Sequence, residues 1–189
     1  MAFIVVYDAC VLHPAPLRDL LLRLAETQIV RAKWTEEILD ETFASIREQR
    51  PELDPSRLDH TRRAMCEAIE DCLVSGHEGL ADHVALPDPG DRHVVAAALR
   101  CGAKTIVTAN LRDFPKHALE PLEMEAVYPD AFVLDLIGVV PGLVMKVVHD
   151  QATALKNPPM ELACVLKTLE RCGLVRSVSE LRALYGLEG

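Results

Sequence analysis

Aromatic residues are scarce: one Trp, three Tyr and four Phe make up 4% of the 189 residues. The core must therefore come from Leu, Val, Ile and Ala, and half of the residues are hydrophobic, enough for an unstapled domain. No apolar run approaches the roughly 18–20 residues needed to cross a bilayer, so no membrane association is expected. The opening MAFIVVYDAC has no basic stretch before its apolar run and meets Asp8 early. It is expected to be a buried strand rather than a signal peptide. The six cysteines form no CxxC pair and no Cys–His zinc spacing, which predicts free thiols in a reducing cytoplasm. Phosphate-cradling GxxxxGK[ST] and GxGxxG loops are missing, which argues against nucleotide-driven chemistry. Asp8-Ala9-Cys10 lacks the second aspartate that a haloacid-dehalogenase-type hydrolase needs.

Positive charge is also in deficit. Lys and Arg number 20 against 29 Asp and Glu, a formal net charge of −9. Such a chain does not coat nucleic acid by charge alone, although an acidic pocket neutralised by divalent cations remains open to it. Arg31, Lys33, Arg47, Arg50, Arg57, Arg62 and Arg63 fall in one stretch, where interleaved Glu and Asp predict a solvated, ion-paired surface.

Phe3–Tyr7 (FIVVY) is a continuous β-branched run, as expected of a strand covered on both faces. Helical spacing follows over Leu17–Leu24, and Ile29–Val30 suggests a short strand. Thr35 reads as the N-cap of a helix to about Gln49, with Glu36 and Glu37 in its first turn. Asp54-Pro55 opens another helix, whose Leu58, Met65, Ile69 and Cys72 point to a core. Ser75–Ala81 reads as irregular. A Val- and Ala-rich helix from His93 to Arg100 ends at Gly102, and Thr105–Ala109 (TIVTA) is a second buried strand. Ala126–Tyr128 suggests another. This order predicts an α/β fold with a central parallel sheet flanked by helices. Beyond Pro129 the texture becomes helical: Ala131–Ile137, Gly142–Leu155, Met160–Cys172 and Val178–Tyr185, with a break at Asn157-Pro158-Pro159. The expected division is 2–137 for the main domain and 138–189 for a small helical extension. Leu143, Val147, Leu162, Val165, Leu166 and Leu169 form an apolar stripe in that tail, either packed on the core or offered to a partner.

Ligands of an open parallel sheet bind beyond the carboxyl ends of its strands. Asp8 directly follows FIVVY, and Asn110 directly follows TIVTA, with Asp113 close behind. Glu37 and Glu41 are one helical turn apart, and either can lean toward Asp8. Asp88-Pro89-Gly90-Asp91 starts the alanine-rich helix, with Asp88 as the natural cap and Asp91 aimed at the strand ends. Two carboxylates ~5 Å apart at an effective dielectric near 20 repel by ~3 kcal/mol, and four make several such pairs. Such a group must hold protons or a hard dication, and the latter suits attack of water on a phosphodiester.

The stretches VVYDACVL, TEEILDETF, LPDPGDRHVVAAAL and GAKTIVTANLRDFP together resemble PIN-domain proteins, particularly the VapC-like toxins of type II toxin–antitoxin pairs. The likeness covers roughly residues 2–137, and the tail with KNPPMEL resembles an extension found on a subset of them. The resemblance implies a PIN-like three-layer α/β fold and a Mg2+- or Mn2+-dependent endoribonuclease. It implies Asp8, Glu41 and Asp91 as metal-binding acids, with Glu37 the alternative to Glu41. Asn110 stands where some members carry Asp, and Asp113 is expected to supply that charge. Asp88 either assists or only caps. Thr108 matches a small hydroxyl residue near the metal, where the alternative role is packing. The implied partners are RNA, often transfer RNA, a cognate antitoxin protein and a second copy in a homodimer. The rival reading is a PIN-like module retained for binding or regulation, with its metal weakly held.

Overall fold

The computed structural model describes residues 3–156 and 159–187. Four parallel strands form its sheet: β1 (Phe3–Tyr7), β2 (Val30–Lys33), β3 (Thr105–Val107) and β4 (Glu125–Val127), in the order β2-β1-β3-β4. β1 and β3 lie inside, and Val5, Val6, Tyr7, Ile106 and Val107 are fully buried, as helices covering both faces require. Phe3, at the open end of β1, is exposed, so the expected two-sided burial begins only further along the strand.

The chain leaves β1 through α1 (Ala9–Leu12) and α2 (Ala15–Glu26) to reach β2 on one side. It then passes through α3 (Glu36–Gln49), α4 (Pro55–Ala68), α5 (Glu78–Ala81) and α6 (Arg92–Cys101) to reach β3 on the other. Strand order therefore reverses between β1 and β3, and the helices that leave them diverge. That opens a crevice at their carboxyl ends. α6 packs on β1 and β3, its Val94–Ala98 run wholly buried because small side chains allow a close approach to the sheet.

Local signals set most boundaries. Thr35 caps α3 by accepting from Ile38 N at 3.1 Å, and Asp54 caps α4 through Ser56 N at 2.8 Å. Gly102 closes α6 at φ 72°, where a side chain would be strained. α4 stops at Ala68, so Ile69 and Cys72 are buried from the turn that follows it rather than from the expected helix. β2 runs longer than expected. It is an edge strand whose Arg31 faces solvent while Lys33 reaches Asp71 Oδ2 at 2.8 Å, so charge hid its strand character. β3 closes at Val107 rather than Ala109, although Thr108 N still donates to Val127 O at 3.0 Å. The piece expected to be irregular contains α5, and a short α7 (Lys116–Leu119) precedes β4.

The tail forms α8 (Pro129–Val139), α9 (Pro141–Ala154), α10 (Leu162–Arg171) and α11 (Val175–Tyr185). The expected break at Asn157-Pro158 lies outside the described residues. Val147, Val165, Leu166 and Leu169 are buried and Leu143 and Leu162 half-buried, so the apolar stripe packs on the core. Polar ties hold the helices in place. Buried Asp130 of α8 accepts from Arg176 N (3.0 Å) and Ser177 N (2.8 Å), capping α11 from another helix. Gln151 of α9 donates to Pro16 O at 2.9 Å. The α10–α11 turn needs Gly173, at φ 95°: a Cβ there would lie 2.6 Å from the Tyr128 hydroxyl.

Candidate active site

Asp8 ends β1 and N-caps α1, yet it is only 5% exposed. Burying a carboxylate requires compensation, and three donors provide it. Ala9 N donates to Oδ1 at 2.7 Å; the Thr108 hydroxyl and the Cys10 thiol donate to Oδ2 at 2.7 and 3.1 Å. Thr108 is itself fully buried and accepts from Asn110 N at 3.0 Å, so its hydroxyl links the ends of β1 and β3. Burial, then the charge of Asp8, push the Cys10 thiol up to about 12. It stays protonated, a donor rather than a nucleophile or a metal ligand.

Asp91 sits at the N-terminus of α6 but makes no side-chain cap bond. The capping falls to Asp88, which is exposed and accepts from Gly90 N at 2.8 Å in a 3-10 turn over Pro89–Asp91. Asp91 is left free to face the crevice. Burial, and then the charges of Asp8, Asp113, Asp88 and Glu41, raise its carboxyl from 3.8 to about 6. That shift has a structural meaning: acids from β1, α3, the α6 start and the loop after β3 share one field. Among the described residues, no Lys or Arg forms a salt bridge with Asp8, Asp91 or Asp113.

Asn110 lies exposed just past β3, and Asp113, half-buried, follows with its N–H donating to Asn110 O at 3.0 Å. Glu37 and Glu41 line the exposed side of α3 and both turn toward His93. His93 Nε2 lies 3.0 Å from Glu41 Oε1, and Nδ1 lies 3.6 Å from Glu37 Oε2. Burial alone would lower the His93 pKa, but Glu41, then Glu37 and Asp8, outweigh it and leave the ring raised. Sequence reasoning passed over His93 as an ordinary helix residue. Its signal was its place two residues after Asp91, where the α6 first turn faces α3.

The basic stretch is largely neutralised. Arg31 and Lys33 pair with Asp71, Arg47 with Asp59, Arg50 with Glu52, and Arg62 with Glu36 and Asp40. One surface cavity of about 620 Å3 lies along α2, and another of about 760 Å3 lies beside β2 and the segment that follows α4. None of Asp8, Glu37, Glu41, Asp91 and Asp113 lines either cavity.

The PIN domain family profile matches residues 4–112, more than half of the chain, and spans Asp8, Glu41 and Asp91. The chain belongs to the PIN-domain family. A second profile, the VapC50 C-terminal domain, matches residues 129–183, so the tail places this PIN domain in a VapC-like group. The protein called "Putative ribonuclease VapC50" from Mycobacterium tuberculosis (strain ATCC 25618 / H37Rv) is 39% identical over 79 residues. That match covers 42% of this chain and 47% of the relative, about half the latter's length. No solved structure matches the chain. Among the described residues, no helix is long and apolar enough to cross a membrane.

The donor set of this PIN domain suits a hard dication. Asp8, Asp91 and Asp113 offer oxygen only, Asp8 is fixed by its three donors, and Asp91 is free of capping duty.

Proposed function

We propose that the protein is a Mg2+- or Mn2+-dependent endoribonuclease and the toxin of a type II toxin–antitoxin pair. The observation that carries this reading is the placement of the acids: Asp8 is buried at the end of β1, Asp91 starts α6 without a side-chain cap bond, and neither they nor Asp113 pair with a Lys or Arg among the described residues. Asp8, Asp91, Glu41 and Asp113 would hold the ion, with Asn110 at the rim. A bound dication would acidify water and offset the charge on the scissile phosphate. The protein's own groups do the positioning. Thr108 and Cys10 fix Asp8 Oδ2 by hydrogen bonds, leaving little freedom for the carboxylate to turn away. Asp91 and Asp113 would orient a water or accept its proton. Asn110, as a neutral amide, can hydrogen-bond a phosphate oxygen without adding repulsion.

The substrate would be RNA, transfer RNA among the candidates, read by shape and unpaired loops, because the surface carries net negative charge. A cognate antitoxin would hold the enzyme inactive in the cytoplasm, and a homodimer is the expected assembly. The nuclease unit (2–137) and the helical extension (138–189) would be joined through α8. The name of the mycobacterial relative supports the reaction, and the matched tail supports the toxin class. The test is inducible expression with sequencing of new RNA 5′ ends, wild type against Asp8→Asn. New ends that require Asp8 and added Mg2+ or Mn2+ support the assignment. Equal cleavage by both proteins refutes it.

A further inference from the structure

His77 and His93 are the least explained polar residues in the molecule. They are 5% and 6% exposed; neither nitrogen of His77 has a hydrogen-bond partner among the described residues, and His93 meets only the carboxylates of Glu41 and Glu37. A buried imidazole nitrogen needs a partner, and a bound cation can supply one. Both rings face the same glutamate: His77 Nε2 lies 3.9 Å and His93 Nδ1 3.6 Å from Glu37 Oε2. His93 Nε2 is also 3.0 Å from Glu41 Oε1. One donor atom from each of Glu37, Glu41 and His93 lies within 4.8 Å of the others. The two glutamates sit one turn apart on α3 and are exposed enough to close on an ion. His93 comes from the buried start of α6, and His77 from the N-terminus of α5, which packs on α6.

We infer that Glu37, Glu41 and His93 form a second, mixed-ligand site, sharing Glu41 with the proposed catalytic set, for an imidazole-preferring transition dication such as Zn2+. The donor chemistry separates it from the oxygen-only set of Asp8, Asp91 and Asp113 proposed above. Mixed imidazole–carboxylate sets favour Zn2+ over Mg2+, which keeps its waters and prefers oxygen. Three protein ligands with an open fourth position also match a common zinc arrangement. Glu41 belongs to both groups, so an ion held here would draw Glu41 toward itself and couple the two centres. The site stands on its own geometry and does not need the nuclease reading to be correct.

The test is titration of the full-length protein with Co2+, a spectroscopic stand-in for Zn2+, without added Mg2+, which would compete for the shared Glu41. One equivalent of Co2+ should produce visible d–d bands without thiolate charge-transfer bands, and one equivalent of Zn2+ should erase them. Glu37→Gln, at the surface and safe for folding, and His93→Gln should each weaken Co2+ binding by at least ~10-fold. Asp8→Asn should leave the bands unchanged. The inference is overturned if wild type gives no bands, if thiolate bands appear, or if Asp8→Asn removes the bands while Glu37→Gln keeps them. Mg2+-dependent RNA cleavage measured on the same preparations separates the two ideas. Cleavage without the Co2+ site sinks this inference alone, and the Co2+ site without cleavage sinks the nuclease reading alone.

Discussion

Replacing Asp91 by Asn should make the metal-free protein more stable at pH 8, although it removes a proposed catalytic acid. Folding raises the Asp91 carboxyl from 3.8 to about 6, first by burial and then by the charges of Asp8, Asp113, Asp88 and Glu41. Keeping it ionised in the folded state therefore costs free energy. At ~1.4 kcal/mol per pKa unit the ceiling is about 3 kcal/mol. Asp91 is only partly buried, and solvent screening brings the expected figure to about 1–2 kcal/mol. The sign follows from linkage. A group whose folded pKa is raised contributes most favourably below its unfolded value, and that contribution is lost as pH rises through about 6. The stability gap between Asp91→Asn and wild type should thus open between pH 4 and pH 6 and stay open at pH 8. Thermal denaturation in EDTA at both ends of this range measures it, the gain corresponding to roughly 3–6 °C for a chain of this size. Adding Mg2+ should reverse the order, because an ion at 100 times its dissociation constant stabilises wild type by about 2.7 kcal/mol and the variant far less. If Asp91→Asn is no more stable than wild type at pH 8 without metal, the crowding of charge is not real. The argument for a dication then fails with it.

Glu41→Gln should reduce Mg2+-dependent cleavage by at least ~100-fold, a loss of ~2.7 kcal/mol in transition-state stabilisation, and Glu37→Gln by much less, in side-by-side single-turnover assays. The reverse order would move the ligand one turn along α3. Thr108→Val removes the 2.7 Å bond to Asp8 and should cost about 1.5–3 kcal/mol in urea denaturation, with a roughly 10-fold or greater fall in cleavage. Stability lost without any change in cleavage would reduce Thr108 to packing. Asp130→Ala strips two acceptors from the α11 start and should cost about 2–3 kcal/mol. Amide exchange should accelerate across Val175–Tyr185 while β1 and β3 stay protected; unchanged exchange there would show that apolar packing alone docks the tail.

Much of this protein was legible along the chain because local chemistry set it. FIVVY and TIVTA announced the two inner strands by composition alone. Thr35, Asp54, Asp88 and Gly102 marked helix ends through bonds that span only a few residues. The sequence also supplied the acids and the reason they would need company, since a carboxylate after a buried strand is poorly solvated. Which acids meet was decided by tertiary structure. The order β2-β1-β3-β4 brings Asp8 beside Thr108, one hundred positions away, and Asp91 starts α6 without a side-chain cap bond. His77 and His93 show the same limit. Nothing in their neighbours along the chain reveals that both rings converge on Glu37, because that depends on how α5 and α6 pack against α3. Short-range hydrogen bonds and periodicity are written in adjacent residues. Long-range electrostatics exists only once packing has excluded water and fixed the distances.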